Sequence, residues 1–237
     1  MKPRLMTLIL TSILTMASQA QILNRKALPA FSTNWGAKVG FAATASYVTD
    51  AYIEGHELSE YTQDTQVGNF AALMFRLNSR TVFLQSGVGF SCNKSCFYMD
   101  INSWDPEAES KHNISCLFTY KSYTVPIQLG YHIVNRPPYC LSAFTGPRLR
   151  YTPRSYYTVQ YANFDPYQLT ETPTTLIMGW TAGLSVQIGR TFLDFEYEAT
   201  INPVTGPITD TTGTYPAPEY RLNRRLGIMS FSYGIIF

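Results

Sequence analysis

The closing stretch Leu226-Gly227-Ile228-Met229-Ser230-Phe231-Ser232-Tyr233-Gly234-Ile235-Ile236-Phe237 alternates with a period of two. Its odd positions, Gly227, Met229, Phe231, Tyr233, Ile235 and Phe237, are mainly apolar and aromatic, whereas its even positions include Ser230, Ser232 and Gly234. Successive side chains of a β-strand point to opposite faces, so this pattern predicts a strand with one greasy face and one small or polar face.

The same split recurs upstream. In Leu176–Ile188 the apolar face is Leu176, Met178, Trp180, Ala182, Leu184, Val186 and Ile188, against Gly179, Thr181, Gly183, Ser185 and Gln187. In Thr191–Ile201, Leu193, Phe195, Tyr197, Ala199 and Ile201 oppose Asp194, Glu196 and Glu198. Tyr123–Ile133 alternates likewise, and weaker runs occupy Trp35–Val48, Val67–Leu77, Val82–Cys92 and Cys140–Thr152. These make eight predicted strands of roughly ten residues or more, the length at which a tilted strand crosses a hydrocarbon core.

The segments between strands alternate in length. Asn78-Ser79-Arg80, Val134–Pro138 and Gly189-Arg190 are tight turns. Thr49–Gln66, Asn93–Cys116, Pro153–Thr174 and Asn202–Arg225 are long and polar. Strict parity of this kind predicts an all-β, eight-stranded antiparallel transmembrane β-barrel with short periplasmic turns and long extracellular loops. Both chain ends then fall on the periplasmic side.

Composition agrees. Aromatic residues are 14% of the chain, with 17 Tyr and 14 Phe, and charged residues are also only 14%, well below the roughly 25% usual in soluble domains. No apolar run reaches the length of a membrane helix. A net charge of +2 is too small to argue for nucleic acid. At the N-terminus, Lys2 and Arg4 precede the apolar stretch Leu5–Met16 and the small-x-small site Ser18-Gln19-Ala20. Residues 1–20 are therefore expected to be a signal peptide, residues 21–33 a periplasmic tail, and residues 34–237 the barrel. The expected location is the outer membrane of a Gram-negative bacterium.

A soluble barrel also alternates, with its apolar face inward. The opposite orientation is favoured here because the non-apolar face is rich in Gly, Ala, Ser and Thr, which suit a crowded small lumen. Aromatics near strand ends, such as Trp35, Tyr47, Tyr123, Tyr151 and Phe237, fit interfacial girdles. With polar faces inward, Lys38, Arg148, Arg150, Asp194, Glu196 and Glu198 are expected to form a lumen salt-bridge network. Buried charge is costly unless paired.

Evidence for chemistry is thin. His56 and His112 fall in loops, His132 faces the lumen at the periplasmic end, and none is set with Ser and a carboxylate at one depth. The loop-two acids Asp105, Glu107 and Glu109 read as solvated. The spacing of the four cysteines is not a zinc pattern, so neither a metal nor another cofactor is expected. Export permits a loop disulfide among Cys92, Cys96 and Cys116, with the pairing open. Cys140, at the far end of the barrel, is expected to stay free.

The chain resembles the PorT-like outer-membrane β-barrel family of Bacteroidota. The segments that carry the resemblance are Trp35–Phe41, Tyr123–Tyr131, Tyr139–Pro147 with Phe144-Thr145-Gly146-Pro147, Gly179–Ile188 followed by Asp194–Tyr197, and Ser230–Phe237. The terminal Phe237, with Phe231, Tyr233 and Ile235 at alternate positions before it, looks like the C-terminal signal read by the barrel-assembly machinery. The resemblance implies location and architecture; one named member belongs to a protein-secretion apparatus.

The expected role is non-enzymatic: a structural or surface-binding barrel acting through its extracellular loops. Expected partners are outer-membrane lipid, the assembly machinery and an unidentified extracellular or periplasmic protein. A secretion or transport accessory, or a small pore, is one alternative; a lipid-modifying enzyme is another.

Overall fold

The computed structural model describes residues 31–53, 56–57, 61–100, 113–154, 157–162, 169–210 and 221–237. The expected signal peptide, most of the expected tail, and His112, Asp105, Glu107 and Glu109 lie outside the described residues. The described residues form thirteen strands. Eight of them close an antiparallel barrel: β1 (Phe31–Ile53), β4 (Gln66–Ser79), β5 (Val82–Asp100), β6 (Asn113–Arg136), β7 (Tyr139–Tyr151), β10 (Leu176–Ile188), β11 (Thr191–Thr200) and β13 (Arg221–Ile236). Each pairs with its sequence neighbour in the barrel, and β13 pairs with β1 to leave no open edge.

The register fixes the geometry of closure. Partners followed round from Thr33 pass through Leu77, Leu84, Leu129, Thr145, Ala182, Tyr197 and Met229. They return to β1 at Ala43, ten residues up the strand from Thr33. With about 3.3 Å per residue and about 4.8 Å between strands, that stagger tilts the strands by about 40°. Every residue on the path faces outward, so the hydrophobic alternation and the hydrogen-bond register agree on which face is which.

At one end the connections are minimal. Arg80 and Thr81 join β4 to β5, Pro137 and Pro138 join β6 to β7, and Gly189 and Arg190 join β10 to β11. Gly189 has φ of 62°, the left-handed conformation that a two-residue hairpin requires and glycine adopts without strain.

The opposite end is built up further than the alternation predicts. At the short-turn end β1 begins at Phe31, which pairs with Ser79, so residues 31–33 belong to the barrel rather than to the tail; at the far end β1 continues to Ile53. β5 runs to Asp100 and β6 starts at Asn113, and they stay paired throughout that extension. Two short strands flank this arm: β3 (Tyr61–Asp64) on β5 and β8 (Tyr157–Ala162) on β6. A short β2 (His56–Glu57) folds back on β1, and β9 (Leu169–Pro173) pairs with β12 (Thr205–Asp210) as a separate ribbon. Segments read from sequence as loops are therefore partly sheet. Their period-two signal is weak because no uniform medium lies on either side of them.

Inside the short-turn end, Phe83, Phe144 and Phe192 point inward, against an alternation that puts aromatics outside. Each lies opposite an inward glycine on a neighbouring strand: Phe83 and Phe144 beside Gly130, Phe144 beside Gly183, and Phe192 beside Gly234. A Cβ at Gly130 would lie 2.0 Å from Phe83 Cζ, and one at Gly234 would lie 2.2 Å from Phe192 Cζ. The rings thus fill space the glycines leave, a cross-strand pairing that also shields the glycine backbone. Gly130→Val is expected to destabilise the folded barrel by about 1–3 kcal/mol through overpacking. Urea titration of vesicle-embedded protein checks this, and an unchanged midpoint would mean the rings are mobile rather than packed.

Candidate functional site

The lumen is occupied in three layers. The lowest is the Phe83, Phe144 and Phe192 floor with Met74 and Ile236. Arg76 lies among these rings, its guanidinium carbon 4.4 Å from the Phe83 centroid and 5.9 Å from that of Phe192. Aromatic faces are partially negative, so the cation is stabilised there with no carboxylate in direct contact among the described residues.

The middle layer carries the charges, and the structure brings together all six residues singled out from the sequence. Lys38 Nζ donates to Asp194 Oδ2 at 3.0 Å. Arg148 donates to Glu196, and through Nη1 to Glu198 Oε2 at 2.9 Å. Arg150 Nη2 donates to the same Glu198 oxygen at 2.8 Å, and its Nη1 reaches the hydroxyls of Ser122 (2.8 Å) and Ser91 (3.0 Å). The arginines reach across because β10, between β7 and β11, presents Gly179, Thr181 and Gly183 inward. Arg150 is 2% exposed and Glu198 1%.

Amides join this layer to the floor. Arg76 Nε and Nη2 donate to Gln85 Oε1 at 2.9 and 2.6 Å, and Gln85 Nε2 donates to Gln128 Oε1 at 3.1 Å. Gln128 Nε2 in turn donates to Glu196 Oε2 at 2.8 Å and to Thr181 Oγ1 at 3.0 Å. A continuous hydrogen-bonded chain therefore runs from Arg76 through Gln85, Gln128, Glu196, Arg148 and Glu198 to Arg150. Arg76, Gln85 and Gln128 were not anticipated from the sequence. Their signal is modest: Arg76 and Gln85 are long polar residues at inward positions of weakly alternating runs, and Gln128 is one on the polar face of the clear run Tyr123–Ile133.

The top layer is mixed. Arg224 sits 3.4 Å from the Phe118 ring centroid, with Tyr120, Ile177 and Leu226 buried nearby. The chain beyond β11 folds over this mouth: Val204 N donates to Arg224 O at 2.9 Å, and Arg224 N donates to Thr205 Oγ1 at 3.1 Å. Beside Lys38, Gln85, Ser91, Arg148, Arg150 and Glu198 is a cavity of about 40 Å³, room for a few waters at most.

His132 is buried near the short turns. Its Nδ1 is 2.8 Å from Ser142 Oγ and 3.2 Å from Cys140 Sγ, and its ring packs 5.0 Å from that of Phe83. This cluster is in the lumen at the end opposite the long connections. His56 lies in β2, and its side chain is outside the described residues.

Cys92, Cys96 and Cys140 are free thiols. Cys92 and Cys96 lie four residues apart on one straight face of β5, about 13 Å along the strand, beyond the roughly 7 Å reach of a disulfide. The side chain of Cys116 is outside the described residues; its backbone pairs with Phe97.

The outer face is apolar on all eight strands. Phe41 and Leu73 are each 67% exposed. Trp35, Tyr47, Tyr123, Tyr151, Phe231 and Phe237 are exposed too, while Tyr233 and Ile235 are half-buried on the same face of β13. Two polar groups that face outward along the barrel wall are tied back: Thr145 Oγ1 donates to Thr181 O at 2.8 Å and accepts from Trp180 Nε1 at 2.8 Å. Ser86 Oγ donates to Pro126 O at 2.9 Å, beside the break in the ladder that proline's missing N–H imposes.

Among solved structures, the chain is similar to the outer membrane protein OprG of Pseudomonas aeruginosa, with TM-score 0.50 and 9% identity over 87% of this chain and 96% of that one. More distant likenesses include Ail, the attachment invasion locus protein of Yersinia pestis, with TM-score 0.41 and 13% identity over 87% and 99% of the two chains. Another is Neisserial surface protein A (NspA), with TM-score 0.41 and 12% identity over 86% and 98%. No family model matches the chain, and no curated protein matches it by sequence. At this identity the likeness to OprG is one of fold, an eight-stranded barrel.

Proposed function

We propose that the chain is a non-enzymatic outer-membrane barrel of a Gram-negative bacterium, a plugged scaffold that presents its long end for binding at the cell surface. The observation that carries this reading is the inverted distribution of polarity. Large apolar side chains cover the outside of the barrel, and Lys38, Arg150, Asp194 and Glu198 are buried within it. A soluble barrel of this size would expose far less contiguous apolar surface. In lipid such a surface is the stable one, and closure leaves no open sheet edge with unpaired backbone groups facing it.

The short-turn end faces the periplasm in this reading and the built-up end faces outward. Residues 1–20 act as the export signal, and the outward stripe Phe231, Tyr233, Ile235 and Phe237 engages the assembly machinery. Membership of the PorT-like type rests on the order and spacing of the segments quoted above. The arm of β5 and β6 projects about 26 Å beyond Cys92, at about 3.3 Å per residue, and β3 and β8 brace it. A braced arm on a closed scaffold suits contact with a protein or glycan at the surface. The filled lumen argues against a pore, and the lumenal burial of His132 argues against work on outer-leaflet lipid.

The test combines three measurements on refolded protein and intact cells. Unboiled samples should migrate differently from boiled ones, planar bilayers should show no conductance steps, and an epitope inserted between residues 100 and 113 should be accessible on cells. A water-soluble monomer without detergent would overturn the membrane reading. Steady conductance would overturn the plugged scaffold.

A further inference from the structure

The outer face of β4, β5 and β6 departs from the apolar pattern just above its aromatic pair. Phe90 and Tyr123 face outward with ring centroids 5.4 Å apart. Beyond them, on the side of the long connections, β5 carries Lys94 and β6 carries Lys121, both exposed. Lys121 pairs with Cys92, which lies two residues before Lys94 on the same strand face, so the two lysines are diagonal neighbours. Side chains in that relation reach a common point. Neither ammonium forms an ion pair among the described residues. Asp64, the acid whose backbone pairs beside Cys96, is hydrogen-bonded instead to Gln66 Nε2 at 2.7 Å.

A second feature adjoins this pair. A shallow groove of about 540 Å³ runs down the outer face between Phe41 on β1 and Phe90 on β5, floored by Gly40 and Ala71, with Asn69 at its upper end. Asn69 is exposed and pairs with Cys92, which pairs with Lys121. The upper end of the groove and the lysine pair are thus about two strand spacings apart, roughly 10 Å. Along the strands, the order from the middle of the barrel outward is apolar groove, aromatic pair, amide, cations.

We propose that this face binds a phosphate-bearing glycolipid of the outer leaflet, with Lys94 and Lys121 holding a phosphate and the groove over Ala71 seating one acyl chain. The inference rests on the membrane reading above. A lysine at the water–lipid boundary keeps its ammonium in the headgroup layer while its alkyl stem lies along apolar surface. Two adjacent ammonium groups at that boundary, without an ion pair among the described residues, are complementary to a phosphate diester or monoester. Asn69 supplies an amide beside them for sugar hydroxyls or ester carbonyls.

Native mass spectrometry of the refolded full chain in mild detergent tests this. The probes are bis-phosphorylated lipid A, the same lipid with its phosphates removed, and inorganic phosphate. Bound lipid A is expected on the parent protein, with occupancy at least tenfold lower for the Lys94→Ser/Lys121→Ser double variant and for the dephosphorylated lipid. Ala71→Trp, which fills the groove and leaves the charges, should also lower occupancy. Arg80→Ser with Arg190→Ser, at the short turns, should leave it unchanged. Equal occupancy in parent and double variant overturns the site, and competition by millimolar inorganic phosphate overturns the lipid as its occupant. A protein that shows the gel mobility shift but fails these comparisons sinks this inference alone, whereas one that never folds in detergent sinks the membrane reading with it.

Discussion

Glu198→Ala is expected to cost the folded barrel about 3–5 kcal/mol, because breaking a buried ion pair by removing one partner leaves uncompensated charge behind. Glu198 Oε2 accepts from Arg148 at 2.9 Å and from Arg150 at 2.8 Å, so one substitution removes a carboxylate contact from two guanidinium groups. Arg148 keeps Glu196, but Arg150 is left with only the hydroxyls of Ser91 and Ser122. The lumen has little anionic reserve. Among the described residues its cations Lys38, Arg76, Arg148, Arg150 and Arg224 already outnumber Asp194, Glu196 and Glu198. Glu198→Gln keeps an acceptor oxygen and should cost about half as much, since it loses the charge but not the hydrogen bond. Urea titration in lipid vesicles, followed by tryptophan emission and gel mobility, gives the free energies. Pairing Glu198→Met with Arg150→Met should cost less than the two single changes added, because the pair is then replaced rather than broken. A loss below about 1 kcal/mol for Glu198→Ala would mean that water reaches these charges and the lumen is not dry.

How far the barrel could be read from the amino acids depended on where a strand sits. Leu176–Ile188 has the same limits in the sequence reading and in the fold, because that strand carries an unbroken apolar face outward and the small residues Gly179, Thr181, Gly183 and Ser185 along the middle of its inward face. β5 and β6 were cut short at Cys92 and Tyr123 because the residues beyond them leave the uniform environment that produces alternation. Lys94 and Lys121 carry no alternation signal for that reason: by sequence one lies in a loop and the other just before a strand start. The inward phenylalanines failed for a different reason. An aromatic at an inward position looks like noise until its partner is known, and the partners Gly130, Gly183 and Gly234 are on other strands. The charged cluster was legible because Arg148, Arg150, Asp194, Glu196 and Glu198 sit two apart on two strands, and β10 between them is small on its inward side. Depth round a staggered barrel is not legible from one strand, so Arg76 and Gln128 entered only with the register.

The orientation itself is tested most directly from the outside. Phe195 lies midway along β11, 49% exposed, with Leu184 and Phe231 as its cross-strand partners and Leu193 and Tyr197 two residues away on the same face. If acyl chains surround it, Phe195→Arg should destabilise the vesicle-embedded barrel by about 2–4 kcal/mol, the cost of a cation near the bilayer midplane. Tyr139, 60% exposed at the start of β7 beside the short turn, serves as the matched control. Arginine there can place its charge in the headgroup layer and should cost about 0–1 kcal/mol. Had the apolar face looked onto water, both changes would be surface substitutions within about 0.5 kcal/mol of neutral, and Phe195→Arg would improve solubility. The gradient between the two positions therefore reports the medium outside the barrel independently of the lumen. Equal small costs at both would remove the bilayer from the account while leaving the eight-stranded fold intact.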